Sequence, residues 1–121
     1  MTLHRRRLGK LGEDLAAEYL HQAGYVILER NFRTPLGEID LIARHQDRVV
    51  FVEVKTRRHQ SFGTPHEAVT TQKLARLHKL ASYYLKARHL GTPPVRFDVV
   101  AITWNPERPP QVLHLTGVSG P

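Results

Sequence analysis

Three apolar runs follow one another between residues 25 and 56, with only four residues in each gap. YVILERNFR is followed by TPLG, EIDLIAR by HQDR, and VVFVEVKT closes the series. Links this short cannot carry a chain across a sheet and back, so the runs can pair only as an antiparallel meander. Their β-branched and aromatic content agrees with strands rather than helix.

The flanking segments extend this frame. Leu8, Leu11, Leu15, Tyr19 and Ala23 recur at spacings of three and four, which predicts a helix over residues 8–23 with its apolar stripe on that line and Gly24 as its C-terminal cap. Thr64, Pro65, His66 and Glu67 have the form of a capping box with proline at the first helical position. A long helix is expected to follow and to stop near His89, before Gly91, Pro93 and Pro94. Leu74, Leu77, Ala81, Tyr84 and Leu85 form its apolar face, with Gln72, Lys73, Arg76, Lys79 and Lys86 opposite. VRFDVVAIT, residues 95–103, reads as a fourth strand, and residues 111–115 as a fifth at an edge. A strand that follows a long helix can rejoin the sheet in parallel. The expected fold is therefore α/β, order αβββαβ: a central mixed sheet of a three-strand meander plus a parallel strand, flanked by helices. One domain should cover residues 1–116, with a loose Pro- and Gly-containing tail at 117–121.

Charge narrows the range of partners. Eighteen Lys and Arg stand against eleven Asp and Glu, a net charge of +7 with neutral histidines. This excess favours a polyanion, and nucleic acid is the first candidate. No apolar run approaches the ~20 residues needed to span a bilayer, and the basic start MTLHRRRLGK has no apolar stretch behind it. No membrane partner is expected. The chain has no cysteine, so disulfides and thiolate metal sites are excluded, and a cytoplasmic location is expected. The eight histidines form no pair at metal-ligand spacing, so zinc is not expected.

Within the third apolar run stand two charges, Glu53 and Lys55, on what should be a half-buried strand. If the preceding hairpin is symmetric about Gln46 and Asp47, paired positions sum to 93 and Asp40 faces Glu53. Opposed carboxylates repel. A divalent cation would offset the repulsion, and Mg²⁺ suits a site of one or two carboxylates with water completing its shell. Lys55 would lie beside it. The residues alone leave open whether this is a cation site or a solvated charged face.

The run GEIDLIA followed by VVFVEVKTRR resembles the PD-(D/E)xK nucleases of the restriction-endonuclease-like fold, with Asp40, Glu53 and Lys55 at the matching positions. Ile39 stands where the name of that superfamily has proline before the aspartate. GKLGEDLAAEYLHQAGY is similar to the opening helix of archaeal Holliday junction resolvases. RNFR, EAV and RFDVVAI complete a resemblance to the YraN family of predicted endonucleases over roughly residues 9–102. The resemblance implies that Asp40 and Glu53 bind Mg²⁺ or Mn²⁺ with the Val54 carbonyl. It implies that Lys55 positions water and stabilises developing charge, and that Glu13 completes the cluster, with Glu18 as the alternative on the same helix. Glu38 would orient Arg33 or a water. Arg33, Arg57 and Arg58, with Gln72, Lys73 and Arg76 on the second helix, are the expected nucleic-acid contacts. Asp98, in an apolar strand, is expected to be structural. The implied activity is Mg²⁺-dependent hydrolysis of branched or structured DNA, by a homodimer where two symmetric cuts are made. The rival expectation is a non-catalytic nucleic-acid-binding accessory protein in DNA recombination or uptake.

Overall fold

The computed structural model describes residues 3–58 and 70–118. The elements are α1 (Leu3–Gln22), β1 (Val26–Thr34), β2 (Gly37–His45), β3 (Arg48–Arg58), α2 (Thr71–Ala87), β4 (Val95–Asn105) and β5 (Arg108–Leu115). The strands form one sheet in the order β1-β2-β3-β4-β5, antiparallel throughout except for the parallel pair β3 and β4. The expected mixed α/β fold is thus present, with β5 longer than the 111–115 expected.

The core has two sides. Val49 and Phe51 of β3 join Leu77, Leu80, Ala81 and Tyr84 of α2 in one cluster, with Phe32, Ile39, Ile42 and Phe97. Val50 and Val52 join Ala16 and Leu20 of α1 in the other, with Leu41, Ala43, Val100 and Ile102. Period-two alternation along β3 therefore serves both helices, one on each face. Burial of apolar surface on both faces explains why this strand is a nearly continuous apolar run.

Four local details bear on these expectations, and the first corrects one of them. The buried line of α1 is Gly12, Ala16 and Leu20, while Leu11 and Tyr19 are exposed at 49% and 37%. The cause is proximity. A Cβ built on Gly12 collides with Thr56 Oγ1 and comes within 3.3 Å of Thr56 Cβ and 3.4 Å of its Cγ2, so only small residues fit where α1 crosses β3. Second, the capping box at 64–67 lies outside the described residues. α2 begins at Thr71, capped by extended Thr70, whose hydroxyl accepts from Lys73 N at 3.1 Å. Third, β3 continues past residue 56, where the apolar run ends: Arg57 and Arg58 are its last two residues, paired with Thr103 and Trp104 of β4. Fourth, the chain stays tied to the sheet beyond residue 116. Gly117 N donates to Asp98 Oδ1 at 3.0 Å and Val118 N to the Phe97 carbonyl at 2.8 Å.

Candidate functional site

The β2–β3 hairpin sets the site. Its pairs run from His45 and Arg48 through Arg44/Val49, Ala43/Val50 and Ile42/Phe51 to Leu41/Val52, every one summing to 93 as expected. The tight turn is made possible by Gln46 in the left-handed region at φ 59°. The ladder ends at Leu41/Val52. One step further, in place of a main-chain pair, Asp40 Oδ2 accepts the Val54 N–H at 2.8 Å. The carboxylate thus occupies the fork where the two strands part. Strand β2 also changes sides there. Ile39 packs on the α2 side and Leu41 on the α1 side, although a regular pleat would put both on one face. Asn31, next to the Phe32/Ile39 pair on β1, takes up part of the irregularity with φ 53°.

Acidic groups approach this fork from several directions. Burial pushes the Asp40 carboxyl up from its ordinary 3.8 to about 6. The Val54 N–H opposes that rise, and the charges of Glu13, Glu53 and Glu38 add to it. Glu13 comes from α1, one residue after the Gly12–Thr56 contact that brings the helix down on β3. Glu18 is exposed and receives a hydrogen bond from Gln22, so Glu13 is the helix carboxylate that acts on Asp40. Glu53 shares the Phe51 face of β3 and forms an ion pair through Oε1 with Lys73 Nζ of α2. Its other oxygen, Oε2, is buried without a hydrogen-bond partner. As the side chains stand, no three His, Asp or Glu among the described residues converge closely enough to hold a metal ion. The reason lies in their origins: Asp40 is in the plane of the sheet, Glu13 belongs to the α1 side, and Glu53 is drawn toward α2.

Cations rim the same end. Lys55 and Arg58 are exposed on β3, and Gln72 and Arg76 are exposed on α2. Arg57 is half-buried and interacts within the protein. Arg33 is paired with Glu38, Nε to Oε2 at 3.2 Å, as the sequence had suggested for that glutamate. Lys73 departs from the expectation of a solvated helix face, since it turns inward to Glu53. Arg7 and Lys10, which carried no assigned role, are exposed on the turns of α1 that precede Gly12. The basic run HRRRLGK was the available signal. The acids stand at mid-strand, since Glu53 pairs with Val99 near the middle of the parallel pair β3 and β4, and Lys55, Arg57 and Arg58 extend the site toward the carboxyl end of β3.

Asp98 belongs elsewhere. It is 1% exposed on β4 and accepts two hydrogen bonds from Arg96 at 2.9 Å, contacts His114 Nε2 at 2.7 Å, and accepts Gly117 N. Burial alone would raise its pKa, but the His114, Arg96 and Gly117 hydrogen bonds outweigh that and hold it below the ordinary value. This carboxylate is structural, locking the β4–β5 edge and the start of the tail.

Sheet order, helix placement and the acid-lined fork define an α/β protein with its candidate site where β2 and β3 part. The chain belongs to a family described as "Uncharacterised protein family UPF0102", whose model matches residues 12–102. It is 54% identical over 102 residues to a UPF0102 protein of Moorella thermoacetica, covering 84% of this chain and 85% of that protein. It is 40% identical over 121 residues to a UPF0102 protein of Desulfitobacterium hafniense, covering 98% of this chain and all of the relative. A UPF0102 protein of Syntrophomonas wolfei is 55% identical over 97 residues, 80% of this chain and 84% of that protein. Among the described residues no helix is long and apolar enough to cross a membrane.

Proposed function

We propose that this protein is a Mg²⁺-dependent endonuclease that hydrolyses phosphodiester bonds of DNA, with branched or structured DNA as its substrate. One observation carries the reading: a half-buried carboxylate, Asp40, is held at a strand fork among Glu13, Glu53 and Glu38, inside a rim of exposed basic side chains. Repelling acids inside a basic surface are what a protein needs to bring a cation and a phosphate together.

The donor set fits a hard divalent ion. Every candidate ligand is oxygen, and Glu53 Oε2 is buried and unpartnered. Asp40, Glu53 and the Val54 carbonyl would hold the ion, with Glu13 near by. When bound, Mg²⁺ would supply Lewis acidity toward the phosphate and a more acidic water. The protein's own groups do the rest. Val54 N–H fixes the Asp40 carboxylate by hydrogen bond. The Lys55 ammonium, exposed two residues beyond Glu53, stabilises negative charge gathering on the phosphoryl oxygens. Arg58, Gln72 and Arg76, joined by Arg57, hold flanking phosphates. Binding of this kind is mostly electrostatic and weakens steeply with salt. Paired cuts across a junction would require two copies of the site, hence a homodimer.

A second reading has its own observation. Lys73 already offsets the single negative charge of Glu53, as it would in a binding module that needs no metal. The test is cleavage of a labelled four-way junction and of its RNA counterpart with Mg²⁺ or Mn²⁺, using wild type, Asp40→Ala and Lys55→Ala. Cutting by wild type alone supports the nuclease. Tight binding without cutting by any of the three defeats it in favour of the binding module, and equal cutting by all three removes these residues from the chemistry.

A further inference from the structure

Lys73 is the only described side chain in ion-pair contact with Glu53, and it makes that contact with one oxygen. The pair is largely shielded, the Lys73 side chain 26% exposed and that of Glu53 16%. Leaving the second carboxylate oxygen buried and unpartnered is costly. A permanent structural pair would be better served by arginine, whose planar fork engages both oxygens. Lysine is instead a point charge on a flexible four-carbon stem, able to leave one acceptor for another. Its backbone is anchored independently: Thr70 caps the first turn of α2 through Lys73 N, and Leu74 packs against the core. The ammonium can therefore swing without unseating the helix, and its neighbours Gln72 and Arg76 face solvent at the rim.

We propose that Lys73 is a built-in counter-ion that holds Glu53 until a divalent cation displaces it, and that the freed ammonium then binds a phosphate of the nucleic acid. The inference rests on the cation reading of the proposed function. It adds an order of events: cation loading releases one more positive charge to the nucleic-acid surface. Glu53 carries a single negative charge, and a divalent ion on its free Oε2 would repel the ammonium held on Oε1, so cation and Lys73 compete for that charge. Cation and nucleic acid, by contrast, become cooperative, because each favours the swung-out lysine.

Calorimetric titration of Mn²⁺ into wild type and Lys73→Met gives the first readout. The variant should bind about five- to tenfold more tightly, because the competitor is gone while the methylene stem is kept. Binding to a DNA junction gives the second. In Ca²⁺, Lys73→Met should lower the slope of log K against log salt by about 0.9, one phosphate contact, and in EDTA it should leave the slope unchanged. Side-chain NMR on the wild type needs no variant: saturating Mg²⁺ should move the Lys73 Nζ resonance toward that of a solvated lysine. Equal or weaker Mn²⁺ affinity in the variant overturns the displacement while leaving the cation site standing. An unmoved Lys73 resonance in cation-saturated wild type overturns it likewise. No cation binding by either protein defeats this inference and the proposed chemistry together.

Discussion

Replacing Asp40 by asparagine should make the cation-free protein more stable at neutral pH while abolishing the proposed cation binding. Burial and three neighbouring carboxylates raise the Asp40 pKa from 3.8 to about 6. For an acid whose folded-state pKa is raised, the penalty is absent below the unfolded value and fully present above the folded one. The folded protein therefore loses stability as pH climbs from about 4 to about 6, by up to about 3 kcal/mol. Asparagine keeps an oxygen for the Val54 N–H but loses the charge that strengthens that bond, which offsets part of the gain. We expect a net gain of about 1–2 kcal/mol at pH 8, or a few degrees in melting temperature. The assay is urea unfolding of both proteins in EDTA at pH 8 and pH 4. At pH 4 the difference should disappear or reverse, because the wild-type side chain is then mostly neutral. Added Mg²⁺ should stabilise the wild type and leave the variant unchanged. A variant no more stable than wild type at pH 8, or equally advantaged at both pH values, would refute the picture of Asp40 as a repelled, partly desolvated charge.

Other expectations follow from the same geometry. Gly12→Ala should cost about 1–3 kcal/mol in thermal or chemical unfolding, because its methyl meets Thr56 and α1 must lift from β3. It should also weaken divalent-cation binding by moving Glu13. Under the proposed nuclease reading, Lys55→Ala should lower cleavage by at least about 100-fold with little change in melting temperature, since the side chain is exposed and its proposed role is electrostatic. Asp98→Asn should destabilise by about 3–5 kcal/mol at neutral pH, measured by urea unfolding, because Arg96 is left without its partner. The Asp98 carboxyl is held below its ordinary value, so its contribution is present above about pH 4 and fades as pH falls through the depressed folded value. The gap between wild type and Asp98→Asn should therefore narrow in acid.

The hairpin register could be read from residues alone because two constraints coincide: a four-residue link leaves few turns, and alternation on both faces forbids a slip by one. The expected pairing of Asp40 with Glu53 is not made, because the ladder stops at Leu41/Val52 and Asp40 accepts the Val54 N–H instead. The buried side of α1 could not be read the same way. Large apolar residues drew the stripe through Leu11 and Tyr19, whereas closeness to the sheet selects the small Gly12 and Ala16. Lys73 was out of reach for a different reason. On its own helix it stands with exposed polar residues, and only the β3–α2–β4 crossover brings that turn to Glu53. The splay of the carboxylates likewise depends on the fork at Leu41/Val52, a tertiary feature with no periodic signature.

That fork makes the far end of the hairpin a ruler. The bend at Gln46 and Asp47 is solvent-facing and chemically idle, the sort of place where extra residues are ordinarily harmless. Here, adding or deleting one residue in the bend would slide β3 a notch past β2, turn every side chain beyond it to the opposite helix, and carry Glu53 out of reach of Asp40. A loop that touches nothing would thereby dictate whether the acids meet at all, and its length should prove less forgiving than its composition.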